Sequence, residues 1–156
     1  MDLRFKEGLG SYSGDGARFQ KFAFDDIGEI DFIAAGPLTD APFEVQGVEG
    51  RPVKLETIPE IITKKIYYRG SDAIPRDVFD LAAAAKDHRE PLVAALSAFP
   101  KPIAVTLDRL NKLNPDFVEA TISQLMILPG YTQLIADSLS IAKGVLSEAL
   151  SRALDA

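Results

Sequence analysis

From Ile58 to the carboxyl terminus, apolar residues recur at helical spacing, and the run is interrupted at 70–75, 99–102, 114–115 and 129–130. Each interruption carries proline, glycine or both. Proline removes a backbone donor and glycine costs backbone entropy, so these points end helices instead of passing through them. The stretch therefore predicts several short helices that bury their stripes against one another. In the last, 131–156, Ile135, Leu139, Ala142, Leu146, Ala149, Leu150 and Ala153 share one stripe.

Residues 1–57 have a different texture, rich in glycine and phenylalanine with short alternating runs. "ARFQKFAF" (17–24), "GEIDFIAA" (28–35), "FEVQGVEG" (43–50) and "RPVKLET" (51–57) read as four strands of one thin sheet. The expected fold class is α+β: a β-rich part over 1–57 with a small mixed or antiparallel sheet, then a helical bundle over 58–156. The glycine-rich first sixteen residues offer little to cover such a sheet, so the expectation is a chain that begins part-way through a larger fold.

The balance of charge narrows the partners. A net charge of −6 argues against tight sequence-independent DNA binding, which needs a basic surface. There is no cysteine, which removes disulfides and thiolate metal sites. The start "MDLRFKEGLG" mixes charges without an apolar signal region, and no apolar run approaches the ~18 residues of a membrane-spanning helix. A cytoplasmic protein without membrane contact is the expectation.

Three places carry charge where a plain fold does not call for it. On the helix that opens at Ile58, Lys65 falls roughly 40° from the centre of the stripe formed by Ile58, Ile61, Ile62 and Ile66, with Arg69 one turn beyond. A lysine there either snorkels over apolar surface or presents a cation to phosphate or carboxylate. The next helix opens with Pro75, Arg76, Asp77 and Asp80. Acids in a first turn complement the helix dipole, which accounts for Asp77 and less well for Asp80. Asp31, in mid-strand, suits either a solvated edge or a hard metal ion. His88, in "KDHRE", reads as a solvated residue at a helix end, and "GSYSGDG" (10–16) lacks the Gly-Lys-Ser/Thr ending of a phosphate loop. No Ser-His-Asp set, zinc spacing or dinucleotide fingerprint is visible.

Taken together, "IDF" on a strand, "PEIITKKIYYRG" and "PRDVFDLAAA" resemble the AbiEii/AbiGii nucleotidyltransferases, the toxin component of AbiE-type toxin–antitoxin systems. That family shows a helix reading E-I-L-A-x-K followed by R-D-L-x-D-L. Glu60, Ile61, Ile62, Thr63 and Lys65 match the first, and Arg76, Asp77, Val78, Asp80 and Leu81 the second. The resemblance covers roughly 26–85. It implies a nucleoside triphosphate substrate, Mg²⁺, and an RNA or protein acceptor. It assigns Lys65, Arg69 and Arg76 to the triphosphate, Asp77 and Asp80 to orienting it or the lysine, and Asp31 to the metal. A cognate antitoxin is a further implied partner; a homo-oligomer is an expectation of the competing reading, a non-catalytic interaction module.

The family's Gly-Ser helix start and Asp-x-Asp pair have no counterpart here. Gly10-Ser11 precede no amphipathic helix, and Asp25-Asp26 are adjacent. The expectation is therefore a distal half-site that transfers little or no nucleotide unless extended upstream. The competing expectation is a non-catalytic helical interaction module, motivated by the amphipathic tail and the thin sheet.

Overall fold

The computed structural model describes residues 3–5, 19–24 and 28–155, so residues 10–16 and Asp25-Asp26 lie outside the described part. The chain divides into two compact units, Met1–Pro37 and Leu38–Ala156.

In the first unit, β1 (Leu3–Phe5), β2 (Phe19–Phe24) and β3 (Gly28–Ile33) form a three-stranded antiparallel sheet in the order β1-β2-β3. Its register sets Asp31 opposite Lys21 and Ile30 opposite Phe22. β1 was not legible in a three-residue run, and it lengthens the expected set of strands.

The second unit opens with an antiparallel hairpin, β4 (Phe43–Val48) and β5 (Arg51–Glu56), in a separate two-stranded sheet. The single thin sheet expected from the sequence is thus two sheets. Glu49 and Gly50 close the hairpin at φ 49° and 74°, both in the left-handed region that a two-residue turn matched to strand twist requires. Glycine adopts it freely and glutamate does not. An isolated hairpin is marginal, and this one is fastened at its base: the Thr57 N–H donates to Pro42 O at 3.1 Å, and its hydroxyl to Ala41 O at 2.9 Å.

Helices follow as the glycine and proline breaks predict: α1 (Ile58–Arg69), a single 3-10 turn (Gly70–Asp72), α2 (Pro75–Ser97), α3 (Pro100–Asn111), α4 (Pro115–Ile122), a second 3-10 segment (Pro129–Leu134) and α5 (Ser138–Leu154). Each of α1 to α4 carries proline in its first turn, where the missing N–H has no intrahelical partner to lose. Thr57 and Asn114 add side-chain caps to α1 and α4. Pro91 lies inside α2, and the backbone leaves helical geometry at His88 (φ −131°, ψ 30°). The proline ring crowds the carbonyl four residues back, so a kink forms there. His88 is accordingly an exposed residue at the kink where two helical stretches meet, as the reading of a solvated residue at a helix end implied.

The core joins Leu81, Leu92 and Leu96 of α2 to Ile103 and Leu110 of α3, Val118 and Ile122 of α4, and Ala142, Val145, Leu146 and Ala149 of α5. The two alanines of α5 let its backbone approach α2 closely. The tail stripe expected to seek a partner is consumed inside the chain, and α5 begins at Ser138 because 129–134 stays in 3-10 geometry. On the surface, Arg89–Glu148 and Arg152–Glu90 pairs, each at 2.6 Å, clasp α5 to α2. Gly70 packs against α3 so closely that an added Cβ would lie 1.9 Å from Thr106 Oγ1. Among the described residues, no helix is long and apolar enough to cross a membrane.

Candidate functional site

The face α1 buries is rotated from the isoleucine stripe. Ile62, Ile66, Thr63 and Glu60 are buried, whereas Ile58 is exposed and Ile61 only half-buried. At about 100° per residue, that arc puts Lys65 on its margin next to Ile62. The lysine stem thus runs beside the core while its head reaches the gap between α1 and the first turns of α2.

There the Lys65 ammonium meets two carboxylates, Asp77 Oδ1 at 3.2 Å and Asp80 Oδ2 in closer contact. The Arg69 guanidinium pairs with the other Asp77 oxygen at 3.0 Å. The same Oδ2 accepts from the Ile74 N–H at 3.2 Å, capping α2 where Ile74 itself has no side-chain acceptor. Asp77 therefore caps a helix and fixes a cation at once. Its side chain is only 9% exposed against 33% for Asp80 and 26% for Lys65, so Asp77 is the fixed member and the lysine head keeps a solvent-facing side.

The sequence-predicted residues divide accordingly. Lys65, Arg69, Asp77 and Asp80 come together. Arg76 is exposed and takes no part in the cluster. Asp31 lies on β3 of the first unit.

Space around the cluster is unevenly distributed. Beneath it, between Ile62, Ile66 and Leu81, the cavity measures about 10 Å³, the size of one water. Alongside it a groove of about 340 Å³ runs between α1 and α2, with Lys65 and Asp80 at one end and Asp87, His88 and Tyr131 at the other. Its floor is Ile61, Ile62, Ala83 and Ala84. At the far end the Tyr131 hydroxyl donates to Asp87 Oδ2 at 2.7 Å, which pushes the phenol's pKa up. Lys86 donates to Gly130 O at 2.6 Å and sits 4.7 Å from the Tyr131 ring centre, fixing that wall.

Magnesium does not fit what this cluster offers. Asp77 and Asp80 are compensated by Lys65 and Arg69, and among the described residues no group of three or more His, Asp or Glu side chains is placed to hold a metal. The cluster is a cation held by carboxylates, the inverse of a metal site.

Glu60 has a role that residue-by-residue reading missed. It is fully buried, and its carboxylate accepts from the Leu38 N–H (3.0 Å), the Thr39 N–H (2.9 Å) and the Thr39 hydroxyl (2.7 Å), with Lys64 Nζ at 3.0 Å. Burial pushes its pKa up, but the Thr39 hydroxyl, Lys64 and the two backbone N–H groups outweigh it and hold the carboxyl below its ordinary value. The available signal was Thr57-x-x-Glu60, the spacing of a capping box. Thr57 keeps its half, accepting from the Glu60 N–H at 3.4 Å, while the glutamate turns away to the 38–39 loop.

No protein-family profile, curated protein or solved structure matches the chain.

Proposed function

We propose that the helical unit binds a nucleoside triphosphate through Lys65, as the phosphate-facing part of a nucleotidyltransferase of the AbiEii type. One observation carries this reading: Lys65 is held by Asp77 and Asp80 at the end of a groove of about 340 Å³, within the size range of small-molecule sites. An ammonium has three donors. Two are directed to the aspartates, and the third is left for a phosphate oxygen. Asp77 and Asp80 act as positioning residues that hold the lysine at the groove's end. Arg69, 43% exposed and tied to Asp77, supplies a second cation beside it. Arg76, exposed and unengaged in the cluster, is the outermost contact in this scheme. The acceptor, RNA or protein, and a cognate antitoxin belong to the same proposal. Metal chemistry is not drawn from these residues, since their carboxylates are already compensated.

Calorimetric titration with each of the four ribonucleoside triphosphates tests it. Expected is saturable binding of at least one, weakened ~10-fold or more by Lys65→Ala, a loss of about 1.4 kcal/mol. A properly folded chain that binds none of them sinks the proposal.

A further inference from the structure

A second groove in the helical unit, about 680 Å³, lies between the β4–β5 hairpin and the half of α2 beyond the kink. One wall is the helix, presenting Pro91, Ala94, Ala95 and Ala98. The other is one face of the hairpin. Glu44 and Gln46 alternate onto that face, and the register sets Leu55 opposite Glu44 and Val53 opposite Gln46. Of its apolar lining, Leu55 and Ile58 are exposed, at 37% and 40%. A groove whose apolar side chains already stand out in water gains from being filled.

What fills it is constrained by shape and by charge. The walls offer side chains and not a strand edge, so an occupant meets a sheet face and a helix of small residues. That geometry suits a helix laid into a groove better than an added strand. The alanines permit close backbone approach along α2. Asp40, Glu44 and Glu56 border the groove, and among the described residues His88 is the one basic residue lining it. Glu56 is offset by Lys64 at 2.5 Å, and Glu44 takes a neutral hydrogen bond from Gln46. Among the described residues Asp40 and Glu44 form no ion pair, and they put negative charge at the mouth.

We propose that this groove is a docking site for a basic amphipathic helix of a partner protein, apolar on the face that enters and lysine- or arginine-bearing on the edges that meet Asp40 and Glu44. The site is independent of Lys65 and of the nucleotide reading. His88 and Pro91, the two residues of the kink in α2, both line it.

The test is selection of displayed random peptides of ~16 residues, about four helical turns, on the intact chain, with counter-selection on Ala95→Trp, which fills the groove. Recovered peptides are expected to be enriched in Lys and Arg, with apolar residues at three- and four-residue spacing. Binding of a recovered peptide, read by fluorescence anisotropy, should weaken ~10-fold or more in Asp40→Lys/Glu44→Lys, and added salt should weaken its binding to the unaltered chain. The double variant alters only exposed rim residues, so it keeps the test valid if Ala95→Trp fails to fold. Enrichment of acidic or uncharged peptides, or equal binding to the double variant, overturns the proposal. So does concentration-dependent dimerisation that Ala95→Trp abolishes, because the occupant is then a second copy of this chain.

Discussion

Glu60 accepts a hydrogen bond from the Thr39 hydroxyl at 2.7 Å, joining the first turn of α1 to the loop ahead of the hairpin. Glu60→Ala would leave that hydroxyl, two loop N–H groups and the Lys64 ammonium short of their acceptor. Each unsatisfied donor costs about 1–3 kcal/mol when it stays buried, and part of this loop rehydrates. Expected is a loss of about 3 kcal/mol in urea unfolding, with Glu60→Gln losing less because it keeps an acceptor oxygen.

Acid should weaken the same contact. The folded-state pKa of Glu60 lies below its ordinary 4.5, so its contribution is complete above that value and is lost as pH falls through the folded pKa. The difference in melting temperature between wild type and Glu60→Gln should be larger at about pH 6 than at about pH 3. A difference that stays constant would show that the carboxylate's charge contributes nothing.

Lys65 and Asp77 should be coupled, and unequally important. Asp77→Ala removes the cap on Ile74 and both cation contacts, whereas Lys65→Met removes only the cation. Asp77→Ala is expected to cost about 2 kcal/mol and Lys65→Met under about 1, with a double-mutant coupling of about 0.5–1 kcal/mol. Equal single effects would refute the capping role.

Gly70→Ala should destabilise by about 2–3 kcal/mol, because the added methyl meets Thr106 Oγ1 at 1.9 Å. The backbone there is ordinary right-handed helix (φ −59°), so the requirement is packing and not conformation. Thr106→Ala in the same chain should restore only part of the loss, since Thr106 Cβ remains at 3.2 Å. Thermal unfolding of the single and double variants decides it.

At the hairpin tip, Glu49 occupies φ 49° without glycine's freedom. Glu49→Asn or Glu49→Gly should stabilise the hairpin by about 0.5–1 kcal/mol, since both residues favour that position. Slower amide exchange along β4 and β5, with little change in the helices, is the expected signature.

Periodicity and punctuation made most of the helical unit legible. The breaks at 70–75, 99–102 and 114–115 separate α1 to α4, because proline and glycine act locally and need no tertiary partner. The α5 stripe was readable for the same reason, and Leu139, Ala142, Leu146 and Ala149 are buried as it implied. Its destination was not readable: a stripe shows that a face will be covered, and only the packing against α2 and α3 shows by what. The face of α1 was misjudged because Glu60 and Thr63 are polar, and apolar periodicity cannot register a carboxylate buried by its own hydrogen bonds.

By itself, the sequence determined where helices stop, where β4 turns into β5, and that Lys65 and Asp77 carry charge close to apolar faces. Those features follow from local backbone freedom and from the period of apolar residues. Tertiary structure alone decided that Asp77 and Asp80 converge on Lys65 while Arg76 stays out, that the strands form two sheets, and that the hairpin leaves a groove against α2. The convergence on Lys65 depends on the angle at which α1 and α2 meet, set by how Ile62, Ile66 and Leu81 fill a common core, and spacing along one chain does not contain that angle.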